Sequence, residues 1–194
     1  MPLYDPQTAL LIVDLQNDFA DPAGSLYVGR GEEVVAVANA QHADARGAGA
    51  RVVYTQDWHP EHTPHFSVDG GIWPVHCVQG SWGAEFRPDL IVDGAVIQKG
   101  ADGRDGYSAF SVRDPRTGER EGTELGDWLR DRGVERLVIT GLATDYCVVE
   151  TVADARMLGF EVDVIAEGIR AVNLQPGDGD RAIDRMRDAG AEVV

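Results

Sequence analysis

The chain has 194 residues, of which 43% are apolar and 26% are charged, so it is long enough to bury one sizeable core and has the composition of a globular protein. Its 33 acidic and 17 basic residues give a formal net charge of −16, which disfavours binding to nucleic acid and to anionic membranes. The early apolar runs are only strand-long and the first basic residue is Arg30, so the sequence predicts neither a membrane span nor a secretory signal. With two cysteines and no export signal, we expect a reduced protein of the cytoplasm without a disulfide framework.

Short apolar strands alternate with amphipathic helices along the chain. The predicted strands cover residues 8–14, 51–56, 95–98, 137–140, 161–166 and 191–194. The predicted helices cover residues 32–46, 124–132, 145–158 and 178–189. Between them lie a loop-rich stretch, 57–94, and a loop at 100–122 that is long enough to serve as a lid or binding loop. Because strands separated by helices form parallel sheets, we expect one domain over residues 1–194, with an α/β fold and a doubly wound, mainly parallel six-stranded sheet covered by helices on both faces.

Four chemically active side chains follow four different predicted strands. Asp14, Asp57, Lys99 and Cys147 each lie at or just past the C-terminal end of a strand. Ligands of open α/β sheets bind outside the carboxyl ends of the strands, near the point where the strand order reverses. We therefore expect these four residues to meet at one edge of the sheet.

Cys147 is the candidate nucleophile. A free cysteine is commonly a small buried hydrophobic residue. Here, however, it follows a glycine-containing turn and lies in the first turn of a predicted helix, where unpaired N–H groups and the helix dipole favour a thiolate. The same turn can direct backbone N–H groups at an oxyanion, as acyl transfer requires.

Asp14 and Lys99 each have two interpretations. Asp14 ends an apolar strand, so its carboxylate either accepts hydrogen bonds from the following backbone turn or takes part in catalysis. Lys99 either extends from its strand to water or stabilises the charge of a thiolate and an oxyanion. The two residues become a catalytic pair only if Cys147 lies beside them.

A cluster of histidines is the candidate metal site. Four of the five histidines, namely His59, His62, His65 and His76, lie within eighteen residues and close to Asp57. A carboxylate oxygen and several imidazoles suit Zn²⁺, Fe²⁺ or Mn²⁺, although histidines in loops are often only solvated. The remaining loop residues with candidate roles are the aromatic side chains that could enclose a flat ring: Phe19, Trp73, Tyr107 and Phe110. Cys77, beside His76, is interpreted as a structural thiol, and His42 as a packing residue of a helix.

Six sequence blocks carry a resemblance that spans nearly the whole chain. They are Val13–Phe19, Gln56–Pro60, Trp73–Cys77, Gln98–Gly100, Gly141–Val148 and Val172–Pro176. In this order they resemble the nicotinamidases of the isochorismatase-like cysteine hydrolases, which have a Rossmann-like three-layer fold. The blocks with the histidines point most narrowly to nicotinamidases, since the other blocks recur across the superfamily.

The resemblance implies roles for individual residues. It implies a catalytic triad of Asp14, Lys99 and Cys147, and an oxyanion hole formed by the N–H groups of Ala143 and Cys147 after a cis peptide bond between Leu142 and Ala143. It implies one divalent metal ion, zinc before iron or manganese, held by Asp57, His59 and His76 and by a further ligand for which the local sequence favours His65 over His62. Phe19 and Trp73 match the positions that flank the substrate ring, and Tyr107 is a further candidate for substrate binding.

The function implied is hydrolysis of nicotinamide to nicotinate and ammonia through a cysteine thioester, in NAD salvage, with pyrazinamide as a second small-molecule substrate. Two alternatives remain: another amide hydrolase of the same superfamily, and a catalytically idle metal-binding protein of this fold. A thiol–disulfide protein is disfavoured because Cys77 and Cys147 do not form a Cys-x-x-Cys motif. The sequence leaves open whether the protein is a homo-oligomer.

Overall fold

The computed structural model describes residues 2–194. The strands are β1 (Thr8–Val13), β2 (Arg51–Asp57), β3 (Ala95–Lys99), β4 (Ser111–Arg113), β5 (Arg120–Gly122), β6 (Arg136–Leu142), β7 (Glu161–Arg170) and β8 (Glu192–Val193). The α-helices are α1 (Asn17–Ala20), α2 (Glu32–Gly47), α3 (Leu125–Arg130), α4 (Val149–Met157) and α5 (Asp178–Asp188). Two 3₁₀ turns, at Ser67–Asp69 and Trp82–Ala84, and a π-helix, Thr144–Val148, complete the elements.

Six of the strands form one sheet in the order β3-β2-β1-β6-β7-β8, and every neighbouring pair is parallel. The chain builds the sheet outward from β1 in one direction through β2 and β3, and then in the other direction through β6, β7 and β8. The order therefore reverses between β1 and β6, which is where doubly wound sheets bind their ligands. The predicted fold class is confirmed.

The sheet is buried on both faces. In β1, Leu11 packs in the same cluster as the apolar side chains of α3, α4 and α5, whereas Leu10 and Ile12 pack with those of α2. This alternation follows from the opposite orientation of successive side chains in a strand. All six residues of β1 are buried, which explains why its sequence is an unbroken apolar run.

Three local features differ from the sequence prediction. The predicted helix 145–158 begins as the π-helix and becomes α4 only at Val149, and the predicted loop 100–122 contains the antiparallel hairpin of β4 and β5. The hairpin strands are short and largely exposed, so they lack the apolar pattern of a strand. The fifth predicted strand, β7, continues to Arg170 beyond an irregularity in its pairing with β6. Among residues 2–194, no helix combines the length and the apolar character needed to cross a lipid bilayer.

Candidate active site

Asp14, Lys99 and Cys147 meet at the carboxyl edge of the sheet. Lys99 Nζ lies 2.7 Å from Asp14 Oδ2 and 3.5 Å from Cys147 Sγ. Lys99 also donates a hydrogen bond of 2.6 Å to the carbonyl of Gly106, and Asp14 Oδ1 accepts one of 2.6 Å from Thr55 Oγ1. The ammonium group therefore contacts both the acid and the sulfur, where its charge can stabilise a thiolate.

Burial sets the proton affinities of this group. Burial raises the pKa of Asp14 above its usual value although Lys99 acts in the opposite direction, which makes this carboxylate a stronger base than an exposed aspartate. Burial alone would lower the pKa of Lys99, but the negative charges of Asp14, Cys147 and Asp57 outweigh it and raise this pKa, so the ammonium form persists. Burial also raises the pKa of the Cys147 thiol well above its usual value, against the effect of Lys99. Burial therefore acts against the thiolate that the helix start favours, and a base that accepts the thiol proton would assist its formation.

The turn before Cys147 passes very close to the backbone of β1. Gly141 has φ 125°, and a Cβ at this position would lie 2.1 Å from the carbonyl oxygen of Val13, so only glycine fits beside β1. The peptide bond between Leu142 and Ala143 is cis. The N–H groups at the start of a helix have no partner within the helix, and both Ala143 and Cys147 line the pocket. This arrangement suits an oxyanion hole.

A pocket of about 460 Å³, including its open mouth, lies in front of the nucleophile. Its wall is largely apolar, and four of the residues that line it are aromatic: Phe19, Trp73, Tyr107 and Tyr146. Trp73 Nε1 donates a hydrogen bond of 2.8 Å to Tyr107 Oη, and the Trp73 and Tyr146 rings meet edge to face at 4.7 Å. The size and lining suit a small flat molecule, and Asp57, His65, His76 and Cys147 reach the same space.

Three histidines can hold a metal ion, and two of them, His65 and His76, line this pocket. The ligand atoms of His59, His65 and His76 all lie within 4.8 Å of one another, and all three side chains are buried. Asp57 Oδ2 lies 3.0 Å from His59 Nε2 and 3.4 Å from His76 Nε2. His62 is elsewhere, with its side chain 78% exposed and its Nδ1 3.3 Å from Asp69.

The hydrogen bonds of these imidazoles fit a metal ion. His76 Nδ1 donates to the carbonyl of Pro74 at 2.7 Å, and His65 Nδ1 donates to Asp105 Oδ1 at the same distance, so Nε2 of each ring is left to bind a cation. Burial lowers the pKa of His65, which favours the neutral imidazole that metals require. His59 Nδ1 is buried without a hydrogen-bond partner among residues 2–194. Three imidazoles beside a carboxylate form a donor set typical of zinc.

The family model for the isochorismatase domain matches residues 8–194. The chain belongs to the isochorismatase family. It is 43% identical to the nicotinamidase of Escherichia coli (strain K12) over 206 aligned residues, covering 97% of this chain and 94% of the relative. It is 37% identical to the nicotinamidase/pyrazinamidase of Mycobacterium tuberculosis over 191 residues, covering 96% and 97% of the two chains.

Solved structures of the isochorismatase fold superpose closely on this chain. The pyrazinamidase of Pyrococcus horikoshii in complex with zinc has a TM-score of 0.86 and 39% identity, with coverage of 97% of this chain and 99% of the other. A protein of L. infantum crystallised in complex with nicotinate has a TM-score of 0.88 and 36% identity, with coverage of 97% and 92%. The family assignment made from the sequence blocks is therefore confirmed.

The structure brings together nearly every residue singled out from the sequence. The triad candidates, the histidines at 59, 65 and 76, and the ring candidates Phe19, Trp73 and Tyr107 share one site. Phe110 does not, because its ring stacks on Phe160 at 5.9 Å in the core. Cys77 is buried, unpaired and away from the pocket lining, as a structural thiol would be.

Sequence reasoning missed several contributors to the site. Tyr146 and Val172 line the pocket. Both belong to the sequence blocks that carry the family resemblance, but no role was predicted for either residue. Asp105 binds His65, but it lies in a loop without periodicity, 40 residues from its partner. Only the folded chain reveals that contact.

Proposed function

We propose that this protein is a nicotinamidase that hydrolyses nicotinamide to nicotinate and ammonia through a thioester on Cys147. The observation that carries the proposal is the contact of Lys99 with both Asp14 and Cys147 beside a group of three histidines in one aromatic pocket. The names of the relatives support the choice of amide, since they are nicotinamidases and pyrazinamidases. A structural neighbour crystallised with nicotinate supports the expected product.

The chemistry follows from the positions of the side chains. Asp14 takes the proton of the Cys147 thiol, and Lys99 stabilises the thiolate that forms. The thiolate attacks the carboxamide carbon, and the N–H groups of Ala143 and Cys147 hold the oxyanion. Asp14 returns its proton to the nitrogen, which leaves as ammonia. Water then hydrolyses the thioester, which releases nicotinate and regenerates the thiol.

Asp57, His59, His65 and His76 would hold one divalent ion, and zinc is the first choice because a close structural relative was crystallised with it. When bound, the ion would supply Lewis-acid chemistry to the pocket. The ring itself would lie against Phe19, Trp73 and Tyr107.

Within this proposal, residues 1–194 form a single hydrolase domain that acts in the cytoplasm and returns nicotinate to NAD synthesis. Its partners are small amides rather than nucleic acid or membranes, which agrees with the net charge of −16. A homo-oligomer is compatible with the proposal but no step of the chemistry needs a second copy.

Ammonia release from zinc-loaded protein tests the proposal. Nicotinamide, pyrazinamide and isobutyramide are compared at equal concentrations, with the zinc content of the same sample measured and with Cys147→Ala as the blank. Turnover of both ring amides with little turnover of isobutyramide is expected, because only the flat rings fill an aromatic pocket. Preferential hydrolysis of isobutyramide would show that the substrate is an aliphatic amide and not nicotinamide. If none of the three amides were hydrolysed, the proposal that this protein is an amide hydrolase would be contradicted.

A further inference from the structure

Asp105 is a buried carboxylate in the loop that follows β3, with 4% of its surface exposed. Its Oδ1 accepts the hydrogen bond of 2.7 Å from His65 Nδ1. Its Oδ2 accepts two from the guanidinium group of Arg113, at 2.7 Å from Nη2 and 3.2 Å from Nε. Both oxygens of Asp105 therefore accept hydrogen bonds from side chains, one from an imidazole and one from a guanidinium group.

The backbone holds this carboxylate in place as well. Asp105 and Arg113 exchange two backbone hydrogen bonds, of 2.8 and 2.9 Å. Arg113 belongs to β4, which pairs with β5, so the exposed hairpin is joined to a metal-ligand candidate through one residue. The hairpin thus has a structural connection to the site although it lies outside the pocket.

The orientation of His65 depends on this contact. An ionised carboxylate only accepts hydrogen bonds, so Asp105 selects the imidazole tautomer that carries its proton on Nδ1. That tautomer leaves the lone pair on Nε2, in a group whose ligand atoms lie within 4.8 Å of one another. The His65 ring also stacks on His59, with 4.6 Å between their centroids, so a rotation of His65 would disturb a second imidazole of the group.

The two residues after Asp105 contact the rest of the site. The carbonyl of Gly106 accepts the hydrogen bond of Lys99 Nζ, and Tyr107 Oη accepts that of Trp73 Nε1. The guanidinium carbon of Arg113 lies 5.8 Å from the centre of the Tyr107 ring. Three consecutive residues, Asp105 to Tyr107, therefore touch the histidine group, the catalytic lysine and the ring pocket in turn.

We infer that Asp105 is a positioning residue for the metal group: it sets the tautomer and orientation of His65 and, anchored by Arg113, places the Gly106 carbonyl that orients Lys99. The inference rests on the proposed function only in that the histidines bind a metal ion. It requires neither nicotinamide as the substrate nor a thioester.

Metal binding, measured without any substrate, tests the inference. Asp105→Ala and the nearly isosteric Asp105→Asn are stripped of metal and titrated with Zn²⁺ in competition with a chromophoric chelator. The matched control is Asp102→Asn, because Asp102 is exposed in the same loop and binds only the neighbouring Arg104 through its side chain. Circular dichroism and the midpoint of thermal unfolding report whether each variant is folded.

Loss of such a partner of a metal ligand typically weakens metal binding about 10- to 100-fold, and we expect this loss in Asp105→Ala. Asp105→Asn should show a smaller loss, since its amide oxygen still accepts a hydrogen bond from His65. The visible absorption of the Co²⁺-loaded protein should change in Asp105→Ala, because the ligand geometry changes. Asp102→Asn should bind Zn²⁺ like the parent.

Unchanged Zn²⁺ affinity and an unchanged Co²⁺ spectrum in folded Asp105→Ala would overturn the inference. If Asp105→Ala does not fold, Asp105→Asn decides by the same two measurements. A parent protein that binds Zn²⁺ tightly but hydrolyses no amide would overturn the proposed function and leave this inference standing.

Discussion

Lys99 and Asp14 form an ion pair that is inaccessible to solvent, with 2.7 Å between Nζ and Oδ2. The pair joins the ends of β1 and β3, which are separated in the sheet by β2. Thr55, on the intervening strand, donates to the free oxygen of Asp14, so the acid cannot rotate away from the lysine. Lys99 therefore contributes both to the stability of the sheet edge, through Asp14, and to the chemistry of Cys147, through its contact with the sulfur.

Removing Lys99 should reduce both stability and activity. In Lys99→Met the buried charge of Asp14 loses its partner, and breaking one half of a buried pair costs about 3–5 kcal/mol of unfolding free energy. Urea unfolding of the zinc-saturated protein measures this loss, and ammonia release should fall to the level of Cys147→Ala.

The double variant Asp14→Asn/Lys99→Met separates the two effects. It removes the charge of Asp14 together with that of Lys99, so it should regain part of the lost unfolding free energy while remaining inactive. A double variant as unstable as the sum of the two single variants would show that the pair is not coupled.

The two cysteines should differ in their effect on turnover. Cys147→Ala should lower ammonia release by about 10⁴-fold or more, as loss of the nucleophile does in covalent hydrolases, and should leave Zn²⁺ content and thermal unfolding near those of the parent. Cys77→Ala is the control, because its buried thiol packs in the core, donates a hydrogen bond to the carbonyl of Gly83 and lies outside the pocket. It should lose about 1 kcal/mol of stability and keep most of its turnover. Substantial amidase activity in Cys147→Ala would exclude the thioester.

Substitutions of His65 and His62 should differ in their effect on metal binding. His65→Ala removes a buried imidazole of the histidine group and should lower the Zn²⁺ content of purified protein and its affinity for Zn²⁺. His62→Ala removes an imidazole that is 78% exposed and should change neither quantity. Elemental analysis and chelator competition measure both. Retention of full Zn²⁺ affinity in His65→Ala would limit the ligands to Asp57, His59 and His76.

Gly106 is required for close packing beside Lys99. A Cβ at this position would lie 2.6 Å from the backbone nitrogen of Gly100 and 2.7 Å from Lys99 Cβ. Gly106→Ala should therefore cost about 1–3 kcal/mol of stability and should lower kcat, since the carbonyl that orients Lys99 moves. Gly29→Ala, where no atom lies within 4 Å of the added Cβ, is the control and should unfold within about 0.5 kcal/mol of the parent. Equal stability and kcat for the two variants would contradict the tight fit of Gly106.

The sequence by itself determined the elements whose signal is local. An apolar run predicts each main strand of the sheet, and strands alternating with helices predict a parallel arrangement, so Asp14, Asp57, Lys99 and Cys147 were expected at one edge. Buried strands can be predicted in this way because most positions on both of their faces are apolar. The resemblance to the family identified the histidines as metal ligands. Their composition and spacing alone could not distinguish them from solvated histidines in a loop.

Only the tertiary structure decided the contacts between distant loops. Asp105 meets His65 across 40 residues, and Gly106 meets Lys99 through its backbone carbonyl, so neither contact leaves a pattern in the sequence. The direction of the Cys147 pKa shift was also a tertiary property, because burial in the assembled site raises this pKa and outweighs the effect of Lys99. Such features depend on which polar groups the completed fold removes from water, and that is set by packing between segments rather than by the residues within any one of them.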